Sequence, residues 1–96
     1  NRSGGWYSYR ASKAALNMII KNMSIELGRL NKNLIVIGLH PGTVDSALTK
    51  PFQKSIQSSK LFSPDYSVSK LSSVINSLVV SNSGKCYAWD GVEIFP

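Results

Sequence analysis

Leu34-Ile35-Val36-Ile37-Gly38-Leu39-His40-Pro41-Gly42 is the stretch on which the fold turns. The run Leu34 to Leu39 is continuously apolar and rich in β-branched residues, and it is short. That combination predicts a strand buried on both faces. Pro41 then removes a donor and fixes φ, while Gly42 permits a turn and a close backbone approach. A helical pattern runs ahead of it from about Ser8 to Leu30. Ala11, Ala14, Ala15, Met18, Ile19, Asn22 and Met23 recur at i, i+3 and i+4, and Ile25 and Leu27 extend the apolar surface. Asn31-Lys32-Asn33 supplies the stop, because Asn tolerates the left-handed conformation and Lys suits a helix C-terminus. A helix followed by a buried strand is half of a βαβ crossover, which predicts a parallel sheet covered by helices. Ligands of open α/β sheets collect beyond the carboxyl ends of the strands, where His40 to Val44 leaves.

Asn1 to Gly5, ahead of the helix, reads as loop. Thr43 to Leu61 mixes Ser, Thr, Lys and Gln with isolated apolar residues, Leu48, Phe52, Ile56 and Leu61. It reads as a flexible segment with a short helix. Ser63-Pro64-Asp65 is a helix start: a Ser cap, Pro at the first helical position and an acid in the first turn. Val68, Leu71, Val74, Ile75, Leu78 and Val79 mark an apolar face that continues to about Val80, and Ser81 to Gly84 ends the helix. Lys85 to Trp89 reads as a strand, and Asp90-Gly91 as the turn of a terminal hairpin with Val92 to Phe95.

Ninety-six residues with 43% hydrophobic content make one small domain, near the size where burial becomes marginal. The net charge of +6 raises the question of a nucleic-acid or anionic-membrane partner. The eleven Lys and Arg are spread with no run of three, however, so they read as ordinary solvation, and neither partner is expected. The lone Cys86 excludes an intrachain disulfide and fits a reducing, cytoplasmic compartment. No apolar run approaches the roughly 20 residues of a membrane span. His40 has no Cys, Asp or Glu at ligand spacing, so no metal is expected. Cys86 reads as a small buried strand residue, Asp45 as the acceptor of a local backbone bond, and Trp6, Tyr7, Trp89 and Phe95 as packing aromatics.

Tyr9-Arg10-Ala11-Ser12-Lys13 carries the chemistry. In a helix Lys13 lies one turn beyond Tyr9, about 40° round the axis and roughly 6 Å along it. A positive charge there favours the phenolate over a phenol whose ordinary pKa is about 10. Such a Tyr exchanges protons with a hydroxyl or carbonyl near neutral pH. Any helix with a Tyr and a Lys shows this spacing, so the surroundings decide.

Tyr-x-x-x-Lys, a helix, a buried strand and Pro41-Gly42-x-Val44, in that order, resemble the short-chain dehydrogenase/reductase superfamily. With Gly4-Gly5-Trp6-Tyr7-Ser8 ahead and Ser83-Gly84-Lys85-Cys86-Tyr87-Ala88-Trp89-Asp90-Gly91 behind, the chain is most similar to the C-factor-like branch. The resemblance implies a Rossmann-type doubly wound parallel sheet in three αβα layers, of which residues 1–96 are the C-terminal half. It implies an NAD- or NADP-dependent oxidoreductase interconverting a small-molecule carbonyl and a secondary alcohol. Tyr9 is then general acid and base, and Lys13 assists it and holds the nicotinamide ribose hydroxyls. Pro41, Gly42 and Val44 match the segment whose backbone meets the nicotinamide carboxamide. Ser46 stands where the family pattern usually has Thr. The segment after Pro41-Gly42 either covers the substrate or is a plain surface connection. The helix after Tyr9 either packs against a second subunit or lays its small face on its own sheet.

Two family parts have no counterpart in these residues. There is no Gly-x-x-x-Gly-x-Gly phosphate loop, and the catalytic Ser would fall ahead of Asn1, since Ser3 and Ser8 are too near Tyr9 to replace it. The 96 residues alone are therefore expected to be inactive. A non-catalytic interaction, signalling or dimerisation module on the same fold is the competing expectation.

Overall fold

The computed structural model describes residues 4–55 and 60–95. The readings of Ser3 and Ile56 lie outside them. In chain order the elements are α1 (Tyr7–Leu30), β1 (Gly38–His40), β2 (Thr43–Val44), a 3-10 helix (Lys50–Ser55), β3 (Leu61–Phe62), α2 (Pro64–Ser77), a second 3-10 turn (Val80–Asn82), β4 (Cys86–Ala88) and β5 (Glu93–Ile94). One sheet has the order β1-β4-β5, and β2 pairs with β3 in parallel, Thr43 opposite Leu61 and Val44 opposite Phe62. The chain divides into two compact units: Asn1–Gly38, Val79–Cys86 and Phe95–Pro96 form one, and Leu39–Leu78 with Tyr87–Ile94 the other.

In the first unit α1 begins one residue ahead of the expected start and ends at the expected Leu30. Its stop works differently from the expectation. Asn31 is extended (φ −153°), and its side chain accepts the Asn33 N–H at 2.9 Å, an Asx turn in place of a left-handed residue. The stripe buried within the chain is not the face that the apolar periodicity marked. Ile20 is buried, and Asn17, Ser24, Leu27 and Gly28 are half-buried, at i, i+3, i+4 and i+7 spacing. Ala11, Ala14, Ala15, Met18, Ile19, Asn22 and Met23 are open.

The expected strand Leu34–Leu39 shrinks to a ladder beginning at Gly38, and its residues are half-buried or, at Leu34, exposed. Loop groups take the backbone bonds that a ladder would have used. The Val36 N–H donates to Ser83 Oγ at 3.0 Å, and the Val36 carbonyl accepts the Gly84 N–H at 2.7 Å. Only at Gly38, whose N–H donates to the Lys85 carbonyl at 2.9 Å, does strand pairing start. Gly38 is small for a reason: a Cβ there would stand 2.7 Å from Cys86 Sγ and 2.8 Å from Ile20 Cδ1.

In the second unit α2 starts as expected. Ser63 Oγ accepts the Tyr66 N–H at 3.2 Å, with Pro64 and Asp65 in the first turn. It ends at Ser77, short of Val80, because Leu78 turns extended (ψ 143°). In the first unit, Val79 donates its N–H to Asn82 Oδ1 at 2.7 Å and opens the 3-10 turn. The inward stripe of α2 is Ser67, Leu71, Val74 and Leu78, while Val68 and Ile75 are exposed. The segment after Val44 holds the expected short helix, at Lys50–Ser55, together with the unforeseen β2 and β3. The terminal hairpin forms as expected: the Gly91 N–H donates to the Ala88 carbonyl and the Ala88 N–H to that of Val92, both at 2.9 Å, with Gly91 at φ 85°. Its first strand is Cys86–Ala88 where Lys85–Trp89 was expected.

Candidate active site

Tyr9 and Lys13 occupy the first two turns of α1, and Lys13 Nζ lies 5.4 Å from the Tyr9 ring centroid. Ser12 Oγ donates to the Tyr9 carbonyl at 2.8 Å. The Tyr9 side is open, with 56% of the residue exposed. Ahead of the helix, Gly4 (φ 67°), Gly5 (φ 68°) and Trp6 (φ 54°) run consecutively in the left-handed region. Glycine adopts this freely, but in a residue with a Cβ it costs about 1–2 kcal/mol. Arg10 holds the run in place: Nε donates to the Gly5 carbonyl at 2.8 Å and Nη2 to that of Gly4 at 3.1 Å. Trp6 thereby stands edge-on to Tyr9, ring centroids 6.3 Å apart at 74°, and the two line an open cleft with Arg10. Trp6 (72% exposed) and Tyr7 (84%) are not the packing aromatics that the sequence led us to expect. The helix start has no side-chain cap of its own, and the bracing Arg10 is visible only once the loop is folded.

In the second unit β1 runs into Pro41-Gly42 and on into β2. Gly42 has φ 79°, and a Cβ on it would meet the Phe62 ring at 2.5 Å and Trp89 Cδ1 at 3.1 Å. Phe62, Tyr66 and Trp89 form one aromatic cluster, with centroids 4.7 Å apart for Phe62–Trp89 and 4.9 Å for Phe62–Tyr66. His40 is part of the turn: its Nδ1 accepts the Gly42 N–H at 2.9 Å. Ser67 Oγ donates to the Pro41 carbonyl at 2.9 Å. Ser67 is 3% exposed, and no sequence motif singled it out. The available signal was its place on the inward stripe, one turn before Leu71, where a hydroxyl needs a partner.

Val44 lies on β2 opposite Phe62, and its carbonyl accepts Thr49 Oγ1 at 2.6 Å. The Ser46 carbonyl accepts the Thr49 and Lys50 N–H groups at 3.1 Å, which starts the 3-10 helix. Asp45 serves side chains in place of the expected backbone group: Oδ1 accepts Gln53 Nε2 at 2.9 Å and lies 3.6 Å from Lys50 Nζ. In the first unit Cys86 is half-buried on β4 and its thiol donates to Asn17 Oδ1 at 2.9 Å. Among the described residues no helix is long and apolar enough to cross a membrane.

No family model matches the chain. It is 36% identical over 94 residues to C-signal of Myxococcus xanthus, covering 98% of this chain and 51% of that protein. It is 37% identical over 91 residues to 1-hydroxy-2-glutathionyl-2-methyl-3-butene dehydrogenase of Rhodococcus sp. (strain AD45), covering 95% of this chain and 38% of that one. Among solved structures, the NADPH-bound carbonyl reductase from chicken fatty liver superposes with a TM-score of 0.77 at 28% identity, covering 97% of this chain and 34% of that one. The chain thus has part of a Rossmann-type fold, and it spans about half the length of these relatives or less. By sequence and by fold, the chain belongs to the short-chain dehydrogenase/reductase superfamily.

Proposed function

We propose that the chain is the proton-transfer half of an NAD(P)-dependent oxidoreductase that interconverts a small-molecule carbonyl and a secondary alcohol. The observation that carries this reading is the Tyr9–Lys13 pair, one helical turn apart, with Tyr9 open to a cleft. The Tyr9 hydroxyl gives its proton to the carbonyl oxygen in reduction and takes one from the alcohol in oxidation. Lys13 stabilises the negative charge left on the Tyr9 oxygen.

The donor set fits a dinucleotide. The Lys13 ammonium offers three donors and Tyr9 a hydroxyl, which suits the diol of a nicotinamide ribose. On the family pattern, the backbone of Pro41, Gly42 and Val44 and the hydroxyl of Ser46 serve the carboxamide end. The dinucleotide, when bound, supplies or accepts the hydride. The phosphate-gripping loop and the catalytic Ser belong to a companion half of the complete enzyme, and we place that enzyme in the cytoplasm. In the complete enzyme Tyr9→Phe removes only a hydroxyl, so turnover of NAD(P)H with carbonyl substrates is abolished while the circular dichroism stays unchanged. Near wild-type turnover in that variant overturns the assignment.

A second reading is favoured by one specific observation. The open face of α1, with Ala11, Ala14, Ala15, Met18, Ile19 and Met23, suits contact with a second copy of the protein. Sedimentation tests it: a monomer at high concentration removes this reading.

A further inference from the structure

We propose that Ser67 is a positioning residue: it locks the Pro41–Gly42 peptide plane, the backbone that the proposed function turns toward the dinucleotide. The Pro41 carbonyl and the Gly42 N–H belong to one peptide unit and point in opposite directions from it. Each end is held separately. The carbonyl accepts Ser67 Oγ at 2.9 Å, and the N–H donates to His40 Nδ1 at 2.9 Å. Rotating this plane breaks both bonds.

The lock matters because the residue on the far side of the peptide is a glycine. Gly42 sits at φ 79°, and glycine has almost no intrinsic preference between positive and negative φ. A turn with glycine at this place is free to flip the preceding peptide, and a flip reverses the directions of the Pro41 carbonyl and the Gly42 N–H. His40 cannot prevent that alone, because it is part of the same turn and moves with it. Ser67 belongs to α2, a separate element whose start is fixed by the Ser63 cap, so it ties the turn to a reference outside itself. The Phe62 and Trp89 rings close the space over the Gly42 α-carbon but form no bond to the peptide's polar ends. A buried hydroxyl on an otherwise apolar stripe costs stability unless it is satisfied, and the Ser67 hydroxyl is satisfied by this carbonyl.

The proposal rests on the dinucleotide reading given above, and the test separates the two. In the complete enzyme, the dissociation constants of NADH and NADPH are measured by nicotinamide fluorescence for the wild type, Ser67→Ala and Val74→Ala. Hydrogen exchange at the Gly42 amide is followed in parallel. Val74 is the other buried residue of α2, so its truncation loosens the helix without touching Pro41. The expected result is a dissociation constant about tenfold weaker in Ser67→Ala, or about 1.4 kcal/mol. Gly42 exchange accelerates in that variant, and Val74→Ala stays within about twofold of wild type in affinity. If Ser67→Ala does not fold, Ser67→Cys, with its weak donor, takes its place. Unchanged affinity in the Ser67 variant, or an equal loss in Val74→Ala, overturns the proposal alone. A wild-type enzyme that binds neither dinucleotide overturns the functional reading and this proposal with it.

Discussion

Lys13 carries its ammonium over the ring of Tyr9, 5.4 Å from the centroid, one turn along the same helix. The positive charge therefore travels with the phenol on a rigid backbone, and no loop has to close to bring them together. Lys13→Met keeps the length of the stem and removes the charge. In the proposed enzyme it lowers kcat/KM by about 100-fold or more, the scale of a lost acid–base assistance. Lys13→Arg restores the charge but not the compact ammonium, and recovers only part of the rate. Steady-state kinetics with NADH and NADPH decide this; a Met variant within about threefold of wild type contradicts it.

Gly42 is required twice over. Its φ of 79° disfavours any Cβ, and an added Cβ would stand 2.5 Å from the Phe62 ring. Gly42→Ala adds backbone strain of about 1 kcal/mol to an overpacking cost of about 1–3 kcal/mol. Denaturant unfolding should show about 2–4 kcal/mol of lost stability. Introducing Phe62→Leu into the Ala variant gives the methyl room and recovers the overpacking part, leaving the backbone part. Strictly additive losses in this double-mutant cycle contradict the geometry.

The left-handed run Gly4-Gly5-Trp6 and the Arg10 brace make a coupled pair. Trp6→Gly relieves the strain and raises stability by about 1 kcal/mol, while removing the ring that lines the cleft beside Tyr9. Arg10→Met releases both carbonyls and costs about 1–3 kcal/mol. Combined, the two changes cost less than their sum, because a relaxed loop needs less bracing. Thermal unfolding of the four proteins in the cycle measures the coupling; its absence means that Arg10 does not hold the loop.

What the sequence made legible were the features set by local chemistry. The α2 start at Ser63-Pro64-Asp65, the Asp90-Gly91 turn and the Tyr9-to-Lys13 spacing each need only neighbours in the chain, and each is present. Features that depend on distant partners were harder to read. The run Leu34–Ile37 has strand composition, but the backbone bonds of Val36 at its middle go to Ser83 and Gly84, and no local rule foretells that. Ser67 looked like one polar residue among several until Pro41 was placed against it. The family resemblance supplied the roles of Tyr9 and Lys13 as implications, and the geometry adds the bracing by Arg10 and Ser67 that no motif carries.

Ile19 and Ile20 turn that difference into a measurement. They are adjacent and chemically identical, and the apolar periodicity marked Ile19 and passed over Ile20. Within the chain it is Ile20 that is buried: Ile20 is 7% exposed and lies against the space over Gly38, whereas Ile19 is 52% exposed. Ile20→Ala should therefore cost about 2–4 kcal/mol, the range for truncating a buried isoleucine. Ile19→Ala removes little buried area within the chain, and in a monomer its effect stays within about 0.5 kcal/mol. A larger, concentration-dependent loss at Ile19 means that a second copy covers the open face of α1, since a mutation acts through association only when the associated state is populated. Ile19→Glu then converts that species to a monomer in sedimentation, while a charge on an uncovered face leaves the sedimentation unchanged.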